Sequence, residues 1–360
     1  MFKKKVVKKG VLAGTIRVNA KSLKAYKKTG LGWVRSSVDV SSLLACVKLF
    51  KANNNFDVLV DKKNSKFLKG QVSKDGMTQG ARVNIMPDGQ VIDKAYSLFA
   101  KGLRLHDQDS HDHWDVLFEN KGGTVAYCYT LEKKKLHANK KYKKVHKFDK
   151  VFDKLNKNVD KALRDKKDHV AVAMHTLLST KMRVGNEIYF KAHGHKGLTT
   201  LLKKDVKIRK NKVEFKYFGK DGVPRDIVQE FSSVFVKRLK EQMKGKKSGD
   251  FVFSSCKTAR PLAEREFKKA FLKYCGEEFY PHIVRSHFAT SRVKNFLKGK
   301  RKASKEEVEN LFMSIAHELG HRKFSKKENK WVDSHSVTVN HYIQPELVDR
   351  VRGIIVGKKK

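Results

Sequence analysis

The feature that most constrains the fold is a change of hydrophobic period near residue 148. Phe148, Val151, Phe152, Leu155, Val159, Ala162 and Leu163 recur at steps of three and four, which places them along one face of a helix. Upstream the texture is different. ARVNIMPDGQVIDKAY sets a Pro-Asp-Gly turn between apolar runs, and WDVLFENKGGTVAYCYT sets Asn-Lys-Gly-Gly between two β-rich runs, which reads as a hairpin. A strand repeats every two residues and a helix every 3.6, so the two textures call for two kinds of core. A second helical run, HVAVAMHTLLSTKMRVGNEIYF, is expected directly after the first.

DVKIRKNKVEFKYFGKDGVPRDIVQEF then alternates apolar and polar residues around turns at 210–212 and 219–222, which predicts a small antiparallel sheet inside the helical part. Helices resume at SSVFVKRLKEQM and LAEREFKKAFLKYC and are expected almost to the end. The predicted class is α+β, a small β-rich N-terminal domain and a mainly α-helical domain with a small antiparallel sheet. Four regions follow: a basic stretch of no assignable chemistry (1–75), a β-rich domain (76–130), a basic linker or hinge (131–147) and a helical domain (148–360). No internal repeat is evident.

Charge narrows the partner. Of 360 residues, 81 are Lys or Arg and 37 are Asp or Glu, a formal net charge of +44. That excess is more than solubility needs, and it runs through the chain rather than sitting in one tail. A polyanion is implied, nucleic acid before an anionic membrane surface. The four cysteines, Cys46, Cys128, Cys256 and Cys275, show no C-x-x-C pairing, which argues for a reducing compartment and against a disulfide framework or zinc ribbon. MFKKKVVKKG lacks an apolar core of signal-peptide length, and no apolar run approaches a membrane span. A soluble intracellular protein with no membrane attachment is expected.

Two stretches resemble metal sites. HELGH at 317–321 matches the H-E-x-x-H pattern; on a helix His317 and His321 would share one face, with Glu318 placed to polarise a zinc-bound water. The longer H-E-x-x-H-x-x-G-x-x-H form fails, because Phe324 and Lys327 stand where its glycine and third histidine belong. HDQDSHDHWD (106–115) has side chains that could bind a divalent cation, although such a run is more often a polar surface loop. No metal and no cofactor is expected.

Five ordered segments carry a family likeness: MRVGNEIYF (182–190), GLTTLLKKDV (197–206), VEFKYFGKDGV (213–223), PHIVRSHFAT (281–290) and HYIQPELVDRV (341–351). Together they resemble the catalytic domain of type IB DNA topoisomerases in their short viral and bacterial form, over roughly 145–350. The last two segments are also similar to the tyrosine recombinases of the same superfamily. The resemblance implies the DNA breaking-rejoining fold and a duplex-DNA clamp built from the β-rich part, in an enzyme working as a monomer. Carried over, it makes Tyr342 the nucleophile, Arg183 and Arg285 the arginines flanking the scissile phosphate, and Lys220 the general acid. His321 becomes the histidine that donates to a non-bridging oxygen, and His282 takes a supporting role. RKFSKKENKWVDSHS between His321 and Tyr342 looks like an insertion, and His335 lies nearer the tyrosine as an alternative. In this frame Leu319-Gly320-His321 is the informative part of HELGH.

The chemistry asks for these residue types on its own account. A phenol ionises near pH 10 and is a weak nucleophile at neutral pH, so it needs cations or a base beside it. Guanidinium forks hold phosphoryl oxygens bidentately, and a lysine among other cations parts more readily with the proton that the leaving 5′-oxygen needs. Such a set can replace the metal ions of other phosphoryl-transfer sites. A phosphotyrosine ester conserves the bond energy, and no G-x-x-x-x-G-K-[ST] loop is present, so relaxation of supercoiled DNA without ATP is the expected activity. A tyrosine recombinase is the alternative, disfavoured by R-V-G-N-E, by G-L-T-T-L and by the short tail after Tyr342. A non-enzymatic DNA-packaging protein on the same fold is the third reading.

Overall fold

The computed structural model describes residues 11–106, 114–120, 123–255 and 258–356. The chain divides into two compact units, 1–139 and 140–360.

The first unit is β-rich. Strands β1 (Ile16–Val18), β2 (Ala25–Lys28) and β3 (Trp33–Arg35) precede helix α1 (Ser41–Ala52), and β4 (Gln71–Val72) and β5 (Thr78–Gln79) complete an antiparallel sheet of order β3-β2-β1-β4-β5. Strands β6 (Val83–Ile85) and β7 (Val91–Tyr96) pair across the expected Pro-Asp-Gly turn, with Val83 opposite Tyr96. Strands β8 (Lys101–Leu105), β9 (Val116–Glu119) and β10 (Val125–Cys128) make a third sheet, and β9 and β10 pair as the predicted hairpin. Leu43, Cys46, Val47 and Phe50 on α1 join Val18, Leu59, Leu68 and Tyr96 in one core. The described part of residues 11–75 thus folds with the strands that follow it. Short strands there were hidden from the sequence by interspersed lysines, which keep aliphatic stems against a sheet while their ammonium groups stay in water.

Of the acidic and histidine-rich stretch 106–115, residues 107–113 lie outside the described residues. At its end Asp115 is buried and accepts from the Thr130 N–H at 2.6 Å while pairing with Lys133.

Helix α2 (Leu131–Ala162) contains the whole basic stretch 131–147, and the division between the units falls inside it. Its buried residues include Phe148, Leu155 and Val159, on the face given by the apolar stripe. In the second unit, α3 (Ala171–Thr180) stops where the sequence reading continued it. Lys181 takes a left-handed backbone (φ 54°), residues 181–186 run on without helix, and Asn186 caps α4 (Glu187–His193) by accepting from the Ile188 and Tyr189 N–H groups. Strands β11 (Val206–Arg209), β12 (Lys212–Phe218) and β13 (Pro224–Glu230) form the predicted small antiparallel sheet.

Helices α5 (Ser233–Met243), α6 (Glu264–Cys275), α7 (Ile283–Leu297) and α8 (Lys305–Leu319) follow. A hairpin of β14 (Arg322–Ser325) and β15 (Lys330–Asp333) interrupts the helices expected to continue to the end. Its base is closed by the Ser334 N–H donating to the His321 carbonyl at 2.9 Å, so the suspected insertion leaves and returns at one point. Helices α9 (Ser336–His341) and α10 (Pro345–Gly353) end the described chain. Phe215, Phe235, Phe253, Phe267 and Phe271 fill the larger core of this unit, and Val293, Phe312, Ile315, Ile343 and Val351 fill a second. The fold is α+β. Among the described residues, no helix is long and apolar enough to cross a membrane.

Candidate active site

The break after α3 is what brings the site together. Leaving the helix at Lys181 frees Arg183, and a tight docking of two loops holds it. The Leu198 N–H donates to the Arg183 carbonyl at 2.8 Å, and the Thr199 hydroxyl donates to the Gly185 carbonyl at 3.3 Å. A Cβ added at Gly197 would lie 2.5 Å from the Arg183 carbonyl oxygen, and one at Gly185 would lie 2.3 Å from Thr200 Oγ1. The glycines of R-V-G-N-E and G-L-T-T-L are therefore needed because these two segments touch each other.

Tyr342 closes α9 and is 4% exposed. Its hydroxyl lies 2.7 Å from His282 Nε2 and accepts a long 3.5 Å contact from Arg183 Nη2. His282 immediately precedes α7, and Arg285, one turn on, is 1% exposed. Arg285 donates to the carbonyls of Lys181 (2.6 Å) and Leu319 (2.9 Å), and Nη2 also lies 2.9 Å from His321 Nε2. Its guanidinium carbon sits 5.1 Å from the centre of the Tyr342 ring.

His321 reaches this cluster because α8 ends two residues before it, too early for a metal pair on one helix face. Leu319 is its last residue, and Gly320 turns left-handed (φ 66°). A Cβ on Gly320 would also fall 1.4 Å from Arg225 Nη1, so any other residue there is strained by its left-handed backbone and must push the arginine side chain aside. His321 is thereby off the helix and buried, 4.8 Å ring to ring from Tyr342, with Nδ1 2.7 Å from Thr338 Oγ1. His317 stays on the helix surface and bonds Asp333 at 2.8 Å, and Glu318 pairs with Lys181 at 3.0 Å. The two histidines of HELGH, expected on one helix face, point to different places. His335, the other candidate near the tyrosine, faces Met313 (3.4 Å) and Glu309 (3.3 Å) instead.

Lys220 lies in the β12–β13 turn, where Asp221 (φ 62°) and Gly222 (φ 73°) are both left-handed. It is exposed and lines a small cleft with Arg183, Arg225 and Arg285. Sequence reasoning missed two residues. Arg225 sits opposite Tyr217 across the sheet and donates to the Glu318 carbonyl at 3.4 Å. Lys141, on α2, has its ammonium 5.5 Å from the centre of the Tyr342 ring.

The electrostatics follow from burying so many cations together. Burial, then Arg285 and Arg183, pushes His321 down to about 2. His282 keeps an exposed face, yet burial of its ring and the same two arginines push it down to about 3. Both imidazoles are neutral at physiological pH, and Arg285 itself is lowered to about 10, chiefly by burial. Burial alone would raise the Tyr342 phenol, but Arg285 and then Arg183 outweigh it and hold the phenol below its ordinary value. The result is a buried hydroxyl made more acidic by guanidinium groups, with a neutral imidazole in hydrogen-bond contact. That is the equipment of a nucleophile that attacks an anion.

Residues 131–344 match the model of the eukaryotic DNA topoisomerase I catalytic core. The match covers more than half of the chain and includes every candidate site residue, and the chain belongs to this family of DNA breaking and rejoining enzymes. Two solved structures are similar at 16% identity. One is the XerH site-specific recombinase bound to difH substrate in a pre-cleavage complex (47% of this chain, 44% of that chain, TM-score 0.31). The other is XerH bound to palindromic difH substrate in a post-cleavage complex (52% of this chain, 49% of that chain, TM-score 0.33). The chain thus spans just under half the length of each. No curated protein matches the sequence.

Proposed function

We propose that this chain relaxes supercoiled duplex DNA as a type IB topoisomerase, cutting one strand through a 3′-phosphotyrosyl intermediate and resealing it without ATP or an obligatory metal. The observation that carries the reading is the Tyr342 hydroxyl, buried between Arg183, Arg285 and two neutral histidines.

Tyr342 Oη attacks the scissile phosphorus and its proton passes to His282 Nε2. The Oη–P bond forms, the P–O5′ bond breaks, and Lys220 protonates the leaving 5′-oxygen. Arg183 and Arg285 hold the non-bridging oxygens as charge moves onto them. An incoming phosphate also opposes the cations that keep the imidazoles neutral. It raises their proton affinity, so that His282 can accept a proton and His321 Nε2 can carry one to a non-bridging oxygen. Religation runs in reverse: the 5′-hydroxyl returns its proton to Lys220, attacks the phosphotyrosine and expels Tyr342, which regains a proton. Between the two steps the duplex swivels.

The test is relaxation of negatively supercoiled plasmid in EDTA without ATP, wild type against Tyr342→Phe. Relaxation by the wild type alone, with a protein–DNA link that survives SDS, is the expected result. Relaxation by both would remove Tyr342 from the chemistry. Relaxation by neither would favour a recombinase that requires paired sites.

A further inference from the structure

The nucleophile segment ends one helix and precedes another, and its carbonyls cannot all be satisfied locally. Helix α9 closes at His341, and Pro345 begins α10. A continuing helix would offer the N–H of residue 345 to the His341 carbonyl, but proline has none. Side chains from elsewhere take over at three successive carbonyls. Lys141 Nζ donates to the carbonyl of His341. Thr290 Oγ1 donates to that of Tyr342 at 3.4 Å, and Tyr142 Oη to that of Ile343 at 2.6 Å. Two of the three donors are neighbours on α2. Lys141 also stands near the rings of Tyr142 (5.1 Å) and Tyr342 (5.5 Å).

We propose that Lys141 and Tyr142 are positioning residues for Tyr342: α2 holds the backbone on both sides of the nucleophile, and the Lys141 ammonium adds a further positive charge beside its ring. The inference rests on Tyr342 being the nucleophile. It separates two tasks, since Tyr142 can only fix geometry whereas Lys141 both fixes geometry and favours the phenolate. Burial, opposed by Tyr342, lowers the proton affinity of Lys141, which indicates that the ammonium is partly withdrawn from water.

The experiment uses the full chain and compares Lys141→Met, Lys141→Arg and Tyr142→Phe. The first readout is single-turnover formation of the SDS-stable DNA link between pH 6 and 10. The second is the ionisation of Tyr342, followed by ¹³C-tyrosine NMR and assigned with Tyr342→Phe. Lys141→Met should slow link formation about tenfold at pH 7 and move both the alkaline rise in rate and the phenol titration to higher pH, with Lys141→Arg restoring most of each. Tyr142→Phe should slow the link roughly threefold with the pH profile unmoved. DNA affinity should change less than about twofold in every variant.

Wild-type rate and titration in Lys141→Met would overturn the proposal. So would a rate loss matched by an equal loss of DNA affinity, which would make Lys141 a plain phosphate contact. If the wild type forms no link, the nucleophile reading fails. The phenol titration still decides the local claim: an unmoved midpoint in Lys141→Met overturns it, and a raised one supports it.

Discussion

Each unit of this protein buries an arginine, and the two are held in opposite ways. Arg17, in the first unit, is 6% exposed; it pairs with Asp61, donates to the Leu68 carbonyl at 3.2 Å and lies 4.8 Å from the centre of the Phe67 ring. Arg285, in the second, is 1% exposed and has two carbonyls and an imidazole for partners; among the described residues no carboxylate pairs with it. Both leave Nε buried without a hydrogen bond, so an orphaned nitrogen does not distinguish them. The carboxylate does. A buried cation neutralised within its own unit belongs to the architecture, whereas one held only by neutral groups waits for an anion from outside. Under the proposed function, that anion is the scissile phosphate.

The comparison can be broken by experiment. The largest expected difference is in catalysis: Arg285→Lys keeps the charge but loses the planar fork, and plasmid relaxation should fall roughly 10²–10³-fold. Arg17→Lys should change relaxation by less than about twofold. Equal losses would end the distinction. Next comes the histidine pair. His321→Ala should cost about tenfold to a hundredfold in link formation, while His335→Ala, which faces Met313 and Glu309, should stay close to wild type. A larger loss at His335 would move the role to it.

Stability gives a smaller separation. Arg17→Met leaves the Asp61 carboxylate without its partner. It should lower the urea midpoint by an amount equivalent to about 1–3 kcal/mol, the lower end reflecting the solvent that reaches Asp61.

A further stability test is in pH. His282 and His321 have folded values near 3 and 2, against an ordinary 6.5. Between those values the unfolded chain binds more protons than the folded one, so these histidines contribute stability that is present above pH 6.5 and is lost as pH falls toward 3. Urea midpoints of the second unit should follow that slope, and His321→Asn should flatten it. A slope unchanged by the substitution would show that His321 is not held neutral by its neighbours.

The α2 stripe, the β6–β7 and β9–β10 hairpins and the small sheet were legible because each is written in residues close together in sequence, where period and turn chemistry act. The residues that the fold gathers near Tyr342 were legible as candidates too, through Arg183 in R-V-G-N-E, Lys220 in its turn and His282 with Arg285 one helical turn apart. The break at Lys181 was not. The apolar run continues through it, and the helix stops because R-V-G must lie against G-L-T-T-L, a contact no local pattern announces. Nor was the part of Lys141, which touches a carbonyl 200 residues away and in sequence is one lysine among many.

By itself the sequence determined the elements and the chemical vocabulary of this protein, because backbone propensity and side-chain chemistry are local properties. Only the tertiary structure decided which histidine of HELGH turns inward, which lysine stands beside Tyr342, and that Arg285 is buried with no carboxylate partner among the described residues. Those outcomes depend on long-range packing, through which a charge's neighbours set its environment.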